Sequence, residues 1–433
     1  MGSMFDTLKN AWRLPELRKK LLFTIAMIAL FRVGGNIPVP GIDKVAFTNL
    51  LSNFGQLGSL MDIMSGGALA AVSIFAMGIT PYINSSIIIQ LLTVAIPALE
   101  RMSKEGETGR KQIQQIVRIV TVALALLTSF AFWFNTRTAN TSALPAWLNA
   151  LVVIGSFTAG TAIIMWIGEL INVHGIGNGI SIIIFAGILA RIPSMLSNLV
   201  TLSEQWAVAN VFLSIFKVLL VVLLTVAAII AVLYVQLAER RIPIQYAKRM
   251  VGRKMYGGQS TYLPIKVNQS GVIPVIFAVS ILQIPNLIVT FFFSNSTNVV
   301  ARWFADFGTS PFYYILDGLL IFGFTFFYSM IQFNPIEVSN NIQKNGGYIP
   351  GVRPGRPTSE FIARTSQRLT WFDGLFLVVV SLAPMLIGTL TGTQNTGIWF
   401  GGTAIIIIVG VCLDLINQLE AQMSMRNYKG FLD

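Results

Sequence analysis

Cysteine and histidine occur once each in this 433-residue chain, as Cys412 and His174. A single cysteine excludes an intrachain disulfide, and inside an apolar run Cys412 says nothing about redox compartment. One histidine and one cysteine cannot assemble a zinc site of the usual Cys/His kind. There is no HExxH helix and no GxSxG turn, which removes the common signatures of zinc and serine hydrolases. Gly106-Glu107-Thr108-Gly109-Arg110-Lys111 looks like a phosphate loop only superficially. Its spacing is wrong, no Ser or Thr follows the lysine, and no strand precedes it. No metal, cofactor or nucleotide chemistry is expected, so any uphill movement must draw its energy from elsewhere. Charge is also scarce: 11% of residues are charged, against about a quarter in a soluble domain.

What the chain has in abundance is long apolar runs. Hydrophobic residues make up 54% of it, gathered into stretches of roughly twenty, the length that crosses about 30 Å of hydrocarbon as helix. Ten spans are expected, near 21–37, 71–92, 116–134, 148–171, 180–200, 211–238, 271–293, 311–333, 371–390 and 398–419. The fifth is interrupted by Arg191 and Pro193. The first carries Arg32 near its outer end, where a long side chain reaches the interface. With these spans, 24 of the 30 lysines and arginines fall on one side, Arg118 being counted with the connection it adjoins. Basic residues near span ends stay in the cytoplasm, so both termini are expected inside. A net charge of +12 raises the question of nucleic acid, but its placement favours topology setting and contact with anionic lipid. Residues 1–20 lack a small-residue cleavage site and read as no cleavable signal. Gly2-Ser3 reads as a cloning remnant ahead of a native start at Met4. Phe5, Leu8 and Trp12 at helical spacing make the first twenty residues an amphipathic cytoplasmic segment.

Four connections stand out. Residues 38–70 are too apolar for a solvated loop and too polar to span. Within them, 57–70 carries a short amphipathic piece and then Gly66-Gly67. It fits either a half-helix dipping back into the protein or an interfacial loop helix. Residues 100–111 read as a polar, flexible loop. Residues 239–268 hold Arg240, Arg241, Lys248, Arg249, Arg253 and Lys254, interleaved with Tyr246, Tyr256 and Tyr262. Residues 334–368 hold Pro350-Gly351-Val352-Arg353-Pro354-Gly355-Arg356-Pro357, a stiff display of two arginines at a loop tip. Two long basic loops against little external mass point to a partner docking from the cytoplasm.

Ionisable residues within the spans are few. Glu169, Lys217, Asp317, Asp373 and Asp414 fall mostly near span ends, without the paired midplane carboxylates of an ion-coupled transporter. His174 alone cannot furnish an intramembrane enzyme. On the residues alone a passive channel powered by partners, a small-solute transporter and an intramembrane enzyme all stay open, although the missing midplane site and the long basic loops count against a transporter and the lone His174 against an enzyme.

An ordered set of motifs carries a family resemblance across the whole chain. It comprises Ile37-Pro38-Val39-Pro40-Gly41-Ile42-Asp43, Ser65-Gly66-Gly67-Ala68-Leu69, Gly78-Ile79-Thr80-Pro81-Tyr82-Ile83 and Gly175-Ile176-Gly177-Asn178-Gly179-Ile180-Ser181. Tyr246-Ala247-Lys248-Arg249, Gln259-Ser260-Thr261, Leu263-Pro264-Ile265-Lys266-Val267-Asn268 and Pro350-Gly351-Val352-Arg353-Pro354-Gly355 follow in the same order. The chain resembles the SecY/Sec61 alpha family of protein-conducting channels.

That resemblance implies an all-α polytopic fold: ten transmembrane helices in two pseudo-symmetric five-helix halves, residues 21–200 and 201–420, before a cytoplasmic tail at 421–433. It implies a bacterial cell-membrane protein that passes secretory polypeptides across and releases membrane helices sideways. Its pore ring maps to Ile79, Ile83, Ile180, Ile184, Ile276 and Ile407. Its plug maps to 57–70, with Leu60, Met61, Ile63, Met64, Gly66 and Gly67. Its lateral gate maps to Asn84, Gln90, Ser280 and Gln283, where an interhelical polar contact is worth about 1 kcal/mol. Its docking surface maps to Arg240, Arg241, Tyr246, Lys248, Arg249, Arg353 and Arg356. The implied partners are the subunits SecE and SecG, the motor ATPase SecA, the ribosome, and a secretory polypeptide with its signal sequence.

Overall fold

The computed structural model describes residues 12–44, 47, 62, 65–136, 145–209, 211–246, 249–251, 254–256, 260–292, 310–391 and 402–429. Among them are twelve helices and five strands. The helices are α1 (Pro15–Gly34), α2 (Thr80–Ala95), α3 (Pro97–Lys104), α4 (Glu107–Thr136), α5 (Ala146–His174) and α6 (Gly179–Ala209). Then come α7 (Val211–Leu237), α8 (Ile273–Phe292), α9 (Pro311–Gln332), α10 (Pro335–Lys344), α11 (Arg356–Thr391) and α12 (Gly402–Lys429). The ten longest lie on the ten expected spans; α3 and α10 sit in connections. Six described helices pass alone on length and hydropathy as membrane spans, and the bent pair α2–α3 makes a seventh.

Local sequence explains where the helices start and stop. Pro311 and Pro335 occupy first-turn positions, where the missing N–H costs nothing. Ser310 caps α9 by accepting from the Phe312 N–H, and Asn334 caps α10 by accepting from Ile336 and Glu337. Ile96 precedes Pro97 and is extended, since proline disfavours helical backbone in the residue before it. The chain therefore turns by 101° between α2 and α3. Asn178 receives the N–H groups of Ile180 and Ser181 at the start of α6. A side chain at Gly179 would place its Cβ 2.0 Å from the Gly168 carbonyl oxygen, so only glycine lets α5 and α6 turn this tightly.

Three expectations change. The second span does not begin as helix near residue 71. Residues 65–79 form successive turns, with left-handed backbone at Gly66, Gly67, Val72 and Gly78, and α2 starts only at Thr80. These turns are apolar because they are packed in protein: Ala68, Leu69, Val72, Phe75, Ala76 and Met77 are all buried. Hydropathy cannot separate such a segment from a helix. The polar stretch 100–111 is largely helical, contributing the end of α3 and the start of α4. Finally, α6 runs through Arg191 and Pro193 without a break.

The stronger helix contacts join α1 to α5 and α6, α2 to α4, α4 to α5, and α5 to α6. Further along the chain they join α8 to α9, α9 to α11, α11 to α12, and α7 to α11 and α12. The two sets meet where α6 touches α7 and α12, and where α8 touches α2 and α4. Leu17 of α1 and Leu419 of α12 share a small apolar cluster with Ile176, and the Lys20 ammonium donates to Gln422 at 3.4 Å. The start of the first span thus lies beside the end of the last.

Both basic connections contribute to one three-stranded antiparallel sheet. β1 (Glu239–Tyr246) pairs with β4 (Ser260–Lys266) on one side and with β5 (Gly347–Tyr348) on the other. β2 (Arg249–Val251) and β3 (Lys254–Tyr256) form a separate short hairpin. Ile242 and Ile244 alternate with exposed residues along β1, as one buried sheet face requires. They pack with Ile265, Ile342, Ile349 and Ile362.

Candidate functional site

The six expected ring isoleucines come together. Ile79, Ile83, Ile184 and Ile407 are buried in one apolar cluster, and Ile180 and Ile276 pack against it. That cluster draws on α1, α2, α5, α6, α8, α9 and α12, so it sits where the early and late helices meet. Ile79 is the N-cap of α2 and Ile83 follows one turn later, which aims both along one helix face. Ile180 lies at the α5 side of the cluster, within contact of the Gly168 position. Ile188 comes one turn after Ile184 on α6 and is 1% exposed in the same cluster. Ile188 is not among the residues expected in the ring, although its spacing of four from Ile184 signals a shared helix face.

Beside this cluster lies the segment expected to be a plug. Leu60, Met61, Ile63 and Met64 lie outside the described residues. Asp62 and the turn from Ser65 onward are described, and they are seated by charge. Asp62 is 2% exposed. Its carboxylate forms an ion pair with Arg191 of α6 and accepts the Ala70 N–H at 2.8 Å. Its backbone carbonyl accepts the Gly67 N–H at 2.8 Å. Arg32 of α1 donates to the Gly66 carbonyl at 3.0 Å and to carbonyls of Ala186 and Gly187 on α6. Arg32 therefore turns inward instead of reaching for the interface. Gly66 has φ +70°, and a Cβ there would lie 2.9 Å from Gly187 Cα, so backbone meets backbone at this point.

Of the expected gate residues, Asn84 and Gln90 lie on α2 and Ser280 and Gln283 on α8, two helices in contact. Gln90 accepts a hydrogen bond from the Tyr328 hydroxyl of α9 at 2.5 Å. Tyr328 also packs edge-on against Phe277 of α8, with ring centroids 5.0 Å apart. Ser280 is buried, and the side-chain oxygen of Asn84 is buried with no hydrogen-bond partner. The side chain of Gln283 lies outside the described residues. Tyr328 is not expected from sequence, because nothing local announces a partner 238 residues from Gln90.

The docking residues divide similarly. Arg240 and Arg241 are exposed on β1, Arg241 paired with Glu239 at 2.7 Å. Tyr246 packs partly into the sheet core. Lys248 and the side chain of Arg249 lie outside the described residues. Arg353 is exposed in the loop before α11 and makes no ion pair among the described residues. Its backbone carbonyl accepts from the Thr358 hydroxyl at 2.8 Å, which fixes the loop. Arg356 is 90% exposed along its side chain and only loosely tied to Glu360 at 3.2 Å. Pairing of β5 with β1 puts both sets of arginines on one platform.

Long apolar helices packed around a shared apolar cluster, with a small sheet built from two basic connections, define a multi-pass membrane protein. The SecY family model matches residues 73–416. The chain is 46% identical over 448 aligned residues to the protein translocase subunit SecY of Streptomyces scabiei, covering 99% of this chain and all of that one. Its fold is similar to a solved structure described as that of a protein-conducting channel, with TM-score 0.65 at 18% identity, covering 96% of this chain and 97% of that one. It is also similar to Sec61 in the canine ribosome–channel complex from the endoplasmic reticulum, with TM-score 0.63 at 16% identity and the same coverages. The chain belongs to the SecY family. It is a channel subunit of a protein translocase, and the family is not enzymatic.

Proposed function

We propose that this chain, in a bacterial cell membrane with both termini cytoplasmic, passes secretory polypeptides through its centre and releases apolar helices through the α2–α8/α9 seam. One observation carries the reading: isoleucines from α2, α6, α8 and α12 converge in a single apolar cluster between residues 21–200 and 201–420, the two halves of the channel. A narrow apolar ring dewets and so blocks ions, yet it offers no directional bonds to a passing chain. Ile79, Ile83, Ile184, Ile276 and Ile407 form that ring, with Ile180 at its edge and Ile188 extending it along α6. Residues 57–70 are the plug. Asn84, Gln90, Ser280 and Gln283 belong to the lateral gate, with Tyr328 as the clasp on Gln90.

The platform takes the partner that supplies energy. Exposed Arg240, Arg241, Arg353 and Arg356, with Lys248, Arg249 and Tyr246, suit carboxylates of the motor SecA or phosphates of ribosomal RNA. A related Sec61 solved with a ribosome supports the second partner. SecE and SecG complete the channel, and anionic lipid meets the basic face. The shared cluster of Leu17, Ile176 and Leu419 supports both termini on one side.

The test replaces Cys412, places a single cysteine at Ile83, and adds motor, ATP and a stalled precursor carrying its own cysteine. A disulfide that forms only with the stalled chain supports passage through the ring. Crosslinking at the loops but not at Ile83 would remove the pore assignment.

A further inference from the structure

Two arginines reach the plug turn from different helices, and neither is explained by closure alone. An apolar plug on an apolar ring needs no charge to seat it. Yet Asp62 is buried beside Arg191, and Arg32 holds the Gly66 carbonyl together with two carbonyls of α6. Taking a carboxylate and a guanidinium out of water is costly unless they pair and hydrogen-bond. Within its own turn Asp62 accepts the Ala70 N–H on its carboxylate and the Gly67 N–H and Ser65 hydroxyl on its carbonyl, and its described contact outside the turn is the ion pair with Arg191, which exists only in the seated position. Arg191 stays on α6 if the turn leaves; Asp62 goes with it. Separation of the pair is therefore tied to displacement of the turn.

We propose that Arg191 and Arg32 are positioning residues that act through Asp62 and Gly66, forming a charged latch whose rupture sets the threshold for opening. The inference rests on the channel reading above. It predicts a barrier to opening that apolar packing alone would not give, because parting the pair leaves the buried Asp62 carboxylate without its counter-ion.

The experiment uses full-length chain with its partner subunits in vesicles. Arg191→Gln strands a buried carboxylate and is expected to raise resting ion conductance about tenfold or more, and to admit precursors with weakened signals. Arg191→Lys keeps the charge and is expected to stay sealed, a rescue that a merely space-filling arginine would not give. A second arm guards against misfolding. Asp62→Cys and Arg191→Cys, with Cys412→Ser, are joined by a short bismaleimide that reductant cleaves. The joined channel should be sealed and export-dead, and reductant should make the same molecules leak and export. Full export by the joined channel, or an unaltered seal in Arg191→Gln, overturns the latch. Wild-type channel runs alongside. If it passes no precursor, the channel reading fails, while conductance still reports on the latch.

Discussion

Isoleucine builds both the cluster where the early and late helices meet and the core of the sheet formed by the two basic connections, yet the two regions are held together differently. At the centre, Ile79, Ile83, Ile184 and Ile407 come from three helices and touch only through dispersion contacts. In the platform, Ile242, Ile244 and Ile265 sit on strands whose backbone ladder fixes their register, and Ile342 and Ile362 press from α10 and α11. The residue is the same; the backbone decides. A cluster between helices can part and close again because each contact is weak and non-directional. A sheet core cannot shift by one residue without turning its buried face outward. On the proposed function, the part that yields to a passing chain lacks directional bonds, and the part that bears a partner's push is rich in them.

That contrast can be broken from either end. The largest effect is expected from Arg353→Glu, which should abolish motor-driven export into vesicles while the chain still folds and inserts; normal export would remove Arg353 from the docking surface. Next, Ile362→Ala opens a cavity under the sheet and should cost the platform about 2–5 kcal/mol. Hydrogen exchange of β1 and β4 should accelerate and partner affinity should fall together. Unchanged exchange would mean that the platform does not depend on this core. Replacing Ile83, Ile184 and Ile276 together with serine should raise resting conductance and leave export nearly intact. A channel that is equally tight would show that other residues make the seal. The smallest change is Tyr328→Phe, which removes one interhelical bond worth about 1 kcal/mol. Precursors with weak signals should export a few-fold faster, and strong ones should not respond.

Ten apolar runs mark the ten long helices in the sequence, because a bilayer imposes its thickness on the residues that cross it. The turns at 65–79 are not legible in the same way, since backbone buried in protein is as apolar as a span. The sheet is hidden because Ile242 and Ile244 give too short an alternation, and its third strand is two residues lying a hundred positions away. Arg191 looks like an interruption of α6 when read alone. Its partner Asp62 belongs to another segment, and a lone charge in an apolar run reads as a break until its counter-ion is seen. The ring isoleucines need the family motifs, as nothing local distinguishes Ile83 from its many neighbours of the same kind.

One helix has mechanical reach. α11 begins at the platform with Arg356 and continues unbroken to Thr391, 36 residues in all. At 1.5 Å per residue it is a rod of about 54 Å, longer than the bilayer's hydrocarbon is thick. Its first turns are gripped by the same core that holds both basic loops, through Ile362 and Leu369. A tilt of about 10° imposed at that grip carries the far end about 9 Å sideways, close to the width of a helix. On the proposed docking role, a push on the platform would move the far end of α11 sideways, less any bend taken up at Pro384, whose missing N–H weakens the helix there.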